Sequence, residues 1–387
     1  MSSKKRTIHT TCVHAGELKD PIYGGATAPI YTSTAYDYRG EGTNLYPRYM
    51  NTPNQVALAQ KMAALEHTEA GLIFASGMAA ISAVFMTFLK TGDHIILQES
   101  IYGGTSHFVT AEFEKTGIEY TFLADMSVDH LEEHTTDRTK MIYIETPSNP
   151  LLKITDVAAV SAFAKARSII TSIDNTFASP VNQNPADHGI DIIIHSATKY
   201  LGGHSDITAG VVCGTQSHVD QVWKTAKNYG GSISDQTAWL LERSIKTLGL
   251  RVNRQTKNAS KLAKFLEKHP LVKQVNYPGL KSHPDHKIAK KQMHGYGGML
   301  SFELDATIDH EDFVAHLKTI KVALSLAGVE STILEPAVTS HSLLTEKQRT
   351  EQGISNSLLR FSVGIEEVSV LKNDIQQAIE KSRKLDS

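Results

Sequence analysis

Lys199 lies in the run of this sequence that is best suited to covalent chemistry. The run reads His195-Ser196-Ala197-Thr198-Lys199, and upstream Asp174 ends an apolar stretch in Ser172-Ile173-Asp174-Asn175-Thr176. An amine that forms a Schiff base, a carboxylate that keeps a pyridine nitrogen protonated and hydroxyls that bind a phosphate are the groups that pyridoxal phosphate (PLP) requires. A Ser-x-Thr-Lys run alone more often marks a solvated lysine at a strand end, so this prediction depends on the other motifs of the chain.

The composition narrows the classes of protein to which the chain can belong. Its 387 residues, 41% hydrophobic and 21% charged, predict a globular protein of one large domain or two ordinary ones. The net charge of −2 provides no general attraction to nucleic acid or to an anionic membrane, and we expect neither as a partner. The longest apolar stretch, around residues 79–89, is too short to span a bilayer.

Cysteine and histidine usage favours a cytoplasmic protein without a metal site. Cys12 and Cys213 are the two cysteines, which are too few for a disulfide framework or a zinc ligand set and suit a reducing compartment. The 18 histidines show no metal-binding spacing on a helix. The basic start, residues 1–6, is not followed by an apolar segment, so we expect no signal peptide.

Strand and helix patterns alternate through the first two thirds of the chain. Residues 1–55 are rich in Gly, Pro, Thr and Tyr and predict an irregular arm, which a helix from about Asn54 follows. Apolar segments then predict strands at 71–75, 94–97, 120–123, 141–144, 168–173, 190–195 and 210–213. The helices predicted between them include 105–115, 156–166 and one that runs from Ser76-Gly77-Met78 to about residue 89. Apolar strands separated by helices are typical of a mostly parallel sheet with both faces covered.

A second, smaller α/β unit is predicted after about residue 250. Helices at 233–247 and 254–268 lead into it, strands are expected at 299–304 and 359–363, and helices at 309–318 and 368–384. We therefore divide the chain into an N-terminal arm (1–55), a cofactor-binding domain (56–248) and a C-terminal domain (249–387).

Polar residues follow the predicted strands at the places where each strand ends. These residues are Ser76, Tyr102, Asn149, Asp174 and Lys199. Since ligands of parallel α/β sheets bind beyond the carboxyl ends of the strands, this common position predicts one shared site.

Each of these motifs offers one part of a PLP site. Ser76-Gly77-Met78 opens a helix whose free N–H groups attract a phosphate, although such a start is more often a simple cap. Tyr102 could stack on a flat ring, and Asn149, in Pro147-Ser148-Asn149-Pro150, could bond a ring hydroxyl. The ordinary alternatives are a surface tyrosine and a turn, and only the combination favours a cofactor.

Taken together, the motifs resemble the transsulfuration (Cys/Met metabolism) family of PLP enzymes, within the fold-type I group. Besides the motifs above, the resemblance rests on Tyr46-Pro47-Arg48, Tyr102-Gly103-Gly104-Thr105, Asp174-Asn175-Thr176-Phe177, Ser325-Leu326-Ala327-Gly328 and Arg360-Phe361-Ser362. It extends over nearly the whole chain. It implies an α/β fold of the PLP-dependent transferase fold type I, with a mostly parallel central sheet and a smaller C-terminal α/β domain.

The resemblance implies roles for the residues around the cofactor ring. Lys199 would form the Schiff base and then shuttle protons, and Tyr102 would stack on the ring and act as an acid or base. Asp174 would pair with the pyridinium nitrogen and Asn149 would contact the ring hydroxyl. Because Lys199 must act as a base at neutral pH, we expect its pKa to lie well below the ~10.4 of a free lysine.

The resemblance also implies how the phosphate and the substrate are held. Ser325 and Arg360 would bind the substrate α-carboxylate, for which a fork-shaped guanidinium is suited. Tyr46 and Arg48 would reach the phosphate of a neighbouring subunit, so the enzyme would be at least a dimer and typically a tetramer. The residues implied to hold the phosphate within the chain are Gly77, Met78, Ser196 and Thr198.

Departures from the family pattern bear on the reaction. Leu45 replaces an acidic residue that some cystathionine-binding members carry before the arm tyrosine, and Pro47 stands where the family often has serine. Gly104 replaces the cysteine of methionine γ-lyases and argues against that activity. Ala327 replaces a common glycine and is expected to tighten the substrate mouth.

We predict γ-elimination or γ-replacement on a sulfur amino acid or an O-acylhomoserine, as in cystathionine γ-lyases and γ-synthases. A cystathionine β-lyase or an O-acetylhomoserine sulfhydrylase is the near alternative, and an aminotransferase is a more distant one. A non-catalytic PLP-binding regulator is the alternative of another class, although all the catalytic positions are filled and no DNA-binding helix-turn-helix pattern is found.

Overall fold

The computed structural model describes residues 7–39, 44–339 and 345–384. The basic start at residues 1–6 therefore lies outside the described residues. No helix in the described ranges is long and apolar enough to cross a membrane.

The described part of the predicted irregular arm contains two short helical segments that the sequence pattern did not reveal. Helix α1 (Ile8–His14) is short, and a 3₁₀ helix, Pro47–Tyr49, lies near the end of the arm. Between them the described residues form turns and extended chain. Helix α2 (Pro53–Glu66) follows, and its start is fixed because the Thr52 N–H donates to Gln55 Oε1 at 3.1 Å.

A seven-stranded sheet forms the centre of the larger unit. Its strands, in chain order, are β1 (Ala70–Phe74), β2 (His94–Gln98), β3 (Glu119–Leu123), β4 (Thr139–Glu145), β5 (Ile170–Asp174), β6 (Ile192–Ser196) and β7 (Gly210–Gly214). Their order across the sheet is β1-β7-β6-β5-β4-β2-β3. Strand β7 runs antiparallel to both of its neighbours, and all the other pairings are parallel. The prediction of a mostly parallel sheet is confirmed.

Helices cover both faces of this sheet and bury its apolar side chains. The helices of this part are α3 (Gly77–Phe88), α4 (Gly103–Thr116), α5 (Val128–His134), α6 (Val157–Lys165), α7 (Ser179–Asn182), α8 (Gln216–Tyr229), α9 (Asp235–Ile245) and α10 (Leu248–Glu267). Helices α3, α4 and α8 pack on one face, and α2, α6 and α9 pack on the other with the start of α10. Since both faces are covered, the inner strands β2, β4, β5 and β6 are buried almost throughout and show no alternation of buried and exposed residues.

A second sheet of five strands forms the smaller unit. Its strands are β8 (Val272–Asn276), β9 (Met299–Leu304), β10 (Lys321–Val322), β11 (Thr332–Leu334) and β12 (Leu358–Ser362), in the order β10-β11-β12-β9-β8. The remaining helices are α11 (His286–Gln292), α12 (His310–His316), α13 (Glu346–Glu351) and α14 (Val368–Lys381). Helices α10, α12 and α14 pack with this sheet around a third apolar core.

The sequence predicted the buried elements better than the exposed ones. Strand β9 has the predicted bounds, and β12 is shifted by one residue. Helix α8 was missed because it presents three buried positions among many polar ones, and β8 was missed because it is a polar strand of a partly exposed edge. Helix α10 begins at Leu248, six residues before its predicted start, and it contains the predicted domain boundary. The boundaries themselves remain predictions.

Candidate active site

The polar residues predicted to converge lie at one edge of the seven-stranded sheet. Strands β1, β2, β4, β5 and β6 all point their carboxyl ends to this edge, because only β7 is reversed. Asp174 is the last residue of β5 and lies in register with Glu145, the last residue of β4. The fold thus brings together segments that are more than a hundred residues apart in the chain.

Lys199 lies in the turn after β6, with its amine in contact with the smaller unit. Its Nζ donates to Ser325 Oγ at 2.7 Å. Burial and the nearby Arg360 cation lower the pKa of Lys199 to about 8, because both disfavour a positive charge on the amine. This agrees with the expectation that the amine is a usable base near neutral pH.

Ser325 lies in a strained segment of the chain. Its φ of 77° and the φ of 67° at Ala327 both fall in the left-handed region, which costs non-glycine residues of order 1–3 kcal/mol each. The Ala327 N–H donates to Ser362 Oγ at 2.7 Å, which fixes the segment on β12. The surrounding packing therefore holds the Ser325 hydroxyl at the amine of Lys199.

Arg360 joins the smaller unit to the larger one close to Ser325. It lies on β12, is buried, and donates from Nη1 to Asn149 Oδ1 at 3.1 Å and from Nη2 to the Ser325 carbonyl at 2.9 Å. Burial lowers the pKa of Arg360 to about 10, so the guanidinium remains a cation at neutral pH. Asn149 was predicted to contact a ring hydroxyl, and in this structure its carbonyl oxygen accepts from Arg360.

Asp174 is a buried carboxylate with one local donor. The Thr176 N–H donates to its Oδ1 at 2.9 Å. Burial raises the pKa of Asp174, while the bonds to Thr176 and the nearby His195 oppose that rise. A cation placed against this carboxylate, such as a protonated pyridine nitrogen, would stabilise its ionised form.

The start of α3 forms a cradle of the kind that binds a phosphate. Ser76 caps the helix by accepting from the Ala79 N–H at 3.1 Å, and Gly77 and Met78 occupy the first turn, where N–H groups have no partner within the helix. A Cβ on Gly77 would lie 2.9 Å from the Cβ of Ser196, so glycine is required for helix and strand to approach this closely. Gly77 and Ser196 therefore lie side by side, with Met78 next in the helix, and their role at a phosphate remains a prediction.

Thr198 follows Ser196 by two residues, and its hydroxyl already has hydrogen-bond partners. Its Oγ1 accepts from the Ala209 N–H at 3.1 Å and donates to the Ala209 carbonyl at 3.3 Å. A bond from Thr198 to a phosphate remains a prediction, and it requires the hydroxyl to exchange its partner.

Tyr102 is the residue before α4, and its side chain is 49% exposed. Its N–H donates to Glu145 Oε2 at 2.7 Å. A Cβ on Gly104 would lie 2.5 Å from Cε1 of the Tyr102 ring, so the ring lies directly over this glycine. A cysteine at position 104 would require the ring to move.

Tyr46 and Arg48 lie next to the end of α8. Arg48 donates from Nη1 to the Lys227 carbonyl at 2.5 Å, next to the end of α8, and its guanidinium lies 5.1 Å from the Tyr49 ring centroid and 5.7 Å from that of Tyr46. Their predicted role at the phosphate of a neighbouring subunit remains a prediction.

Sequence reasoning missed two groups of residues at the site. Glu145 carries the same signal as Asp174, a carboxylate that ends an apolar strand, and could have been found. On the other face of the sheet, Nε2 of buried His195 lies 2.5 Å from Oε1 of Glu66, and Asn175 Nδ2 donates to the same oxygen at 2.9 Å. That pair joins β6 to α2 and carries no local sequence signal.

The donor set fits PLP. The site provides an amine with a lowered pKa, a buried carboxylate and an anion cradle at a helix start. The hydroxyl of Ser172, two residues before Asp174, is buried without a partner among the described residues. Such a group is typical of a site where a water or ligand supplies the missing bond.

The comparison with known protein families shows which family of enzymes has a site of this kind. The family model of the Cys/Met metabolism PLP-dependent enzymes matches residues 9–380. The chain belongs to this family. It is a PLP-dependent enzyme, so the predicted family, cofactor and catalytic nature are confirmed, and so is the α/β fold with a mostly parallel central sheet.

Individual relatives share almost the full length of the chain. The cystathionine beta-lyase of Lactococcus lactis subsp. cremoris (strain MG1363) is 43% identical over 378 residues, 97% of this chain and 99% of that protein. The cystathionine gamma-lyase of Bacillus subtilis (strain 168) is 42% identical over 380 residues, with the same shares. The crystal structure of cystathionine gamma-lyase from Lactobacillus plantarum complexed with L-serine matches with a TM-score of 0.94 at 39% identity, over 97% of this chain and 99% of that one.

Proposed function

We propose that this enzyme cleaves cystathionine by γ-elimination, with Lys199 as the proton carrier. The observation that supports the proposal is the Lys199 amine, whose pKa is about 8 and which lies 2.7 Å from Ser325 Oγ and close to Arg360. A base placed beside a cationic carboxylate-binding group is the arrangement that amino-acid deprotonation at Cα requires.

The residues around the substrate have separate roles in this proposal. When bound, PLP supplies the electron sink that makes the substrate Cα–H acidic. Arg360 and Ser325 bind the α-carboxylate and orient the Cα–H bond towards Lys199 Nζ, which takes up the proton. Asp174 keeps the pyridine nitrogen protonated, Asn149 contacts the ring hydroxyl, and Tyr102 covers the ring face and excludes water.

The phosphate and the assembly are part of the same proposal. Within the chain, the phosphate is held by Gly77, Met78, Ser196 and Thr198. Tyr46 and Arg48 complete the phosphate site of a neighbouring subunit, which makes the enzyme a homo-oligomer, a tetramer built from dimers. The exposed aromatic side chains of the N-terminal arm support such an association.

Two buried free thiols, Cys12 and Cys213, suit the reducing cytoplasm, where we place the enzyme.

Cystathionine β-elimination is the second candidate. The similarity of 43% to a named beta-lyase favours it about as strongly as the 42% to a named gamma-lyase favours γ-elimination. Leu45 offers no charge for the distal amino group of cystathionine, so the sequence does not fix how the far end of the substrate is held. γ-Replacement on an O-acylhomoserine with cysteine or sulfide, as in γ-synthases and sulfhydrylases, uses the same residues.

Product analysis separates these reactions. The purified holoenzyme is incubated with cystathionine, and separately with an O-acylhomoserine plus either cysteine or sulfide. Cysteine with 2-oxobutanoate supports the proposal, whereas homocysteine with pyruvate supports β-elimination. Cystathionine formed from the O-acylhomoserine and cysteine identifies a γ-synthase, and homocysteine formed with sulfide identifies a sulfhydrylase. Transamination products alone would overturn the assignment to carbon–sulfur chemistry.

Replacing Lys199 tests the site itself. Lys199→Ala removes the amine that binds the cofactor covalently, so the absorbance near ~420 nm expected of a PLP imine and the turnover should both be lost. Lys246→Ala serves as the control: it changes a partly exposed lysine just after the end of α9 and should retain both the absorbance and the turnover. Full turnover in Lys199→Ala would overturn the assignment of this residue.

A further inference from the structure

Glu145 occupies a position for which the reaction gives no explanation. It is buried at the end of β4, in register with Asp174 of β5, and its Oε2 accepts the Tyr102 N–H at 2.7 Å. A second carboxyl group beside the one that faces the cofactor is costly, since two like charges and burial both disfavour ionisation. A buried carboxyl group with this cost indicates that another part of the site requires it.

Tyr102 is the residue that depends on this contact. Its side chain is half exposed, so packing alone does not fix the ring, and its side chain makes no cap bond to α4. The ring lies over Gly104, where any Cβ would collide with it. The direction of the ring therefore follows from where the main chain of Tyr102 is held, and the Glu145 carboxyl group holds it.

We propose that Glu145 is a positioning residue, whose buried carboxyl group fixes the main chain of Tyr102 and thereby places the tyrosine ring against the cofactor. This inference rests on the proposed placement of Tyr102 at the cofactor. Glu145 acts as a hydrogen-bond acceptor in this role, and its charge is not needed.

The surroundings of Glu145 favour its protonated form. Burial and then the Asp174 carboxylate raise the pKa of Glu145 well above its usual range, while the Tyr102 N–H and the Arg360 cation on β12 oppose the rise. A protonated carboxyl group still accepts a hydrogen bond at its carbonyl oxygen. Glutamine offers the same oxygen at the same distance from the main chain, whereas aspartate keeps the acid but is one methylene shorter.

The pair of substitutions Glu145→Gln and Glu145→Asp separates positioning from charge. If the carboxyl group positions Tyr102, Gln retains kcat/KM within about 3-fold, and Asp lowers it about 10- to 100-fold with most of the loss in kcat. The visible circular dichroism of the bound cofactor, which reports how the ring is held, should change in Asp and remain unchanged in Gln. The reverse pattern, with Asp active and Gln impaired, would overturn the inference in favour of an electrostatic role.

A double-mutant cycle with Tyr102→Ala tests whether Glu145 acts through the tyrosine. In the Tyr102→Ala background, Glu145→Asp should lower kcat/KM by no more than about 2-fold, because the ring it positions is gone. Additive losses would show that Glu145 acts elsewhere and would overturn the inference. If Tyr102→Ala alone leaves turnover and the cofactor spectrum unchanged, the proposed placement of Tyr102 fails instead. Thermal unfolding of each holoenzyme shows that all the compared variants are folded.

Discussion

At the scale of single residues, the site depends on two basic side chains held close together. Lys199 and Arg360 are both largely buried, and the Arg360 cation makes a positive charge on the Lys199 amine less favourable. Arg360 remains charged because its ordinary pKa is far above neutral, so Lys199 is the group that loses its proton. The cation that we propose to bind the substrate carboxylate thus also lowers the pKa of the proposed base.

The pH dependence of cofactor rebinding tests the lowered pKa of Lys199. Only the neutral amine attacks an aldehyde, so the rate of PLP rebinding to the cofactor-free enzyme should rise through about pH 8 and be level above about pH 9. Absorbance in stopped flow measures the rate, and N-acetyl-lysine with PLP provides the control, whose rate should go on rising to about pH 10.5. A rate for the enzyme that rises in parallel with the control would contradict the lowered pKa.

Arg360→Lys tests the guanidinium fork. The fork bonds Asn149 and the Ser325 carbonyl with different nitrogens, and a lysine amine cannot reach both and also bind a carboxylate in two-point fashion. We expect kcat/KM to fall about 10- to 100-fold, as for the loss of one or two charge-assisted bonds. Arg254→Lys is the matched control, because Arg254 bonds two carbonyls on the surface, and it should change kcat/KM by less than about 2-fold. Equal effects in both variants would argue against a special role for Arg360.

At the scale of elements, a buried lysine attaches the N-terminal helix to the body of the protein. Lys61 on α2 is fully buried and donates from Nζ to the carbonyls of Cys12 at 2.9 Å and Val13 at 3.2 Å, which are orphan carbonyls at the end of α1. Its amine also lies 3.3 Å from Glu242 Oε1 on α9. One side chain therefore joins three helices, which a seven-residue helix needs in order to be stable.

Lys61→Met should destabilise the fold by about 3 kcal/mol. The substitution leaves the Glu242 carboxylate and two helix carbonyls buried without their cation, and breaking a buried pair in this way costs about 3–5 kcal/mol. The lower value is expected because Lys246 lies 3.7 Å from the other oxygen of Glu242. Denaturant unfolding of the holoenzyme measures the change. Lys246→Met removes the more exposed partner of the same carboxylate and should cost less than about 1 kcal/mol, and similar losses in the two variants would contradict the proposed role of Lys61.

At the scale of the whole molecule, the site exists only where the two units meet. Lys199 and Asn149 come from the larger unit, and Ser325 and Arg360 come from the smaller one. The N-terminal arm, in its described residues 7–39 and 44–55, exposes Tyr23 (89%) and Tyr38 (81%) to solvent. Large aromatic side chains exposed in this way are typical of a surface that another chain covers.

Replacing the exposed tyrosines of the arm tests the proposed assembly. Tyr23→Ser with Tyr38→Ser removes the aromatic area available to a neighbouring subunit, so the oligomer should dissociate at a protein concentration at least about 10-fold higher than the unchanged enzyme. Sedimentation velocity over a dilution series measures this. Val370→Ser, on the exposed side of α14, is the control and should leave the distribution unchanged. An unchanged distribution in the arm variant would contradict a role of these side chains in association.

The sequence by itself determined the family and the class of fold, and the site residues that it indicated remain predictions. Lys199 and Asp174 could be recognised because each lies at or just after the end of a buried strand, and a local run rich in isoleucine predicts such a strand. The alternation of these strands with helices likewise predicted the parallel sheet. The same local signal, applied to Glu145, would have added one more residue to those at the carboxyl ends of the strands.

Only the tertiary structure decided which partner each polar group meets. The bond from Tyr102 to Glu145, the Lys199 contact with Ser325 and the turn of the Thr198 hydroxyl towards Ala209 all depend on the register of elements that are distant in the chain or on one rotamer. The reversed direction of β7 was also decided by the tertiary structure, because a run of apolar residues does not show whether the strand will pair parallel or antiparallel. Burial is a property of each residue's own neighbourhood in the sequence, whereas hydrogen bonds and shifted pKa values arise between residues that only folding brings together.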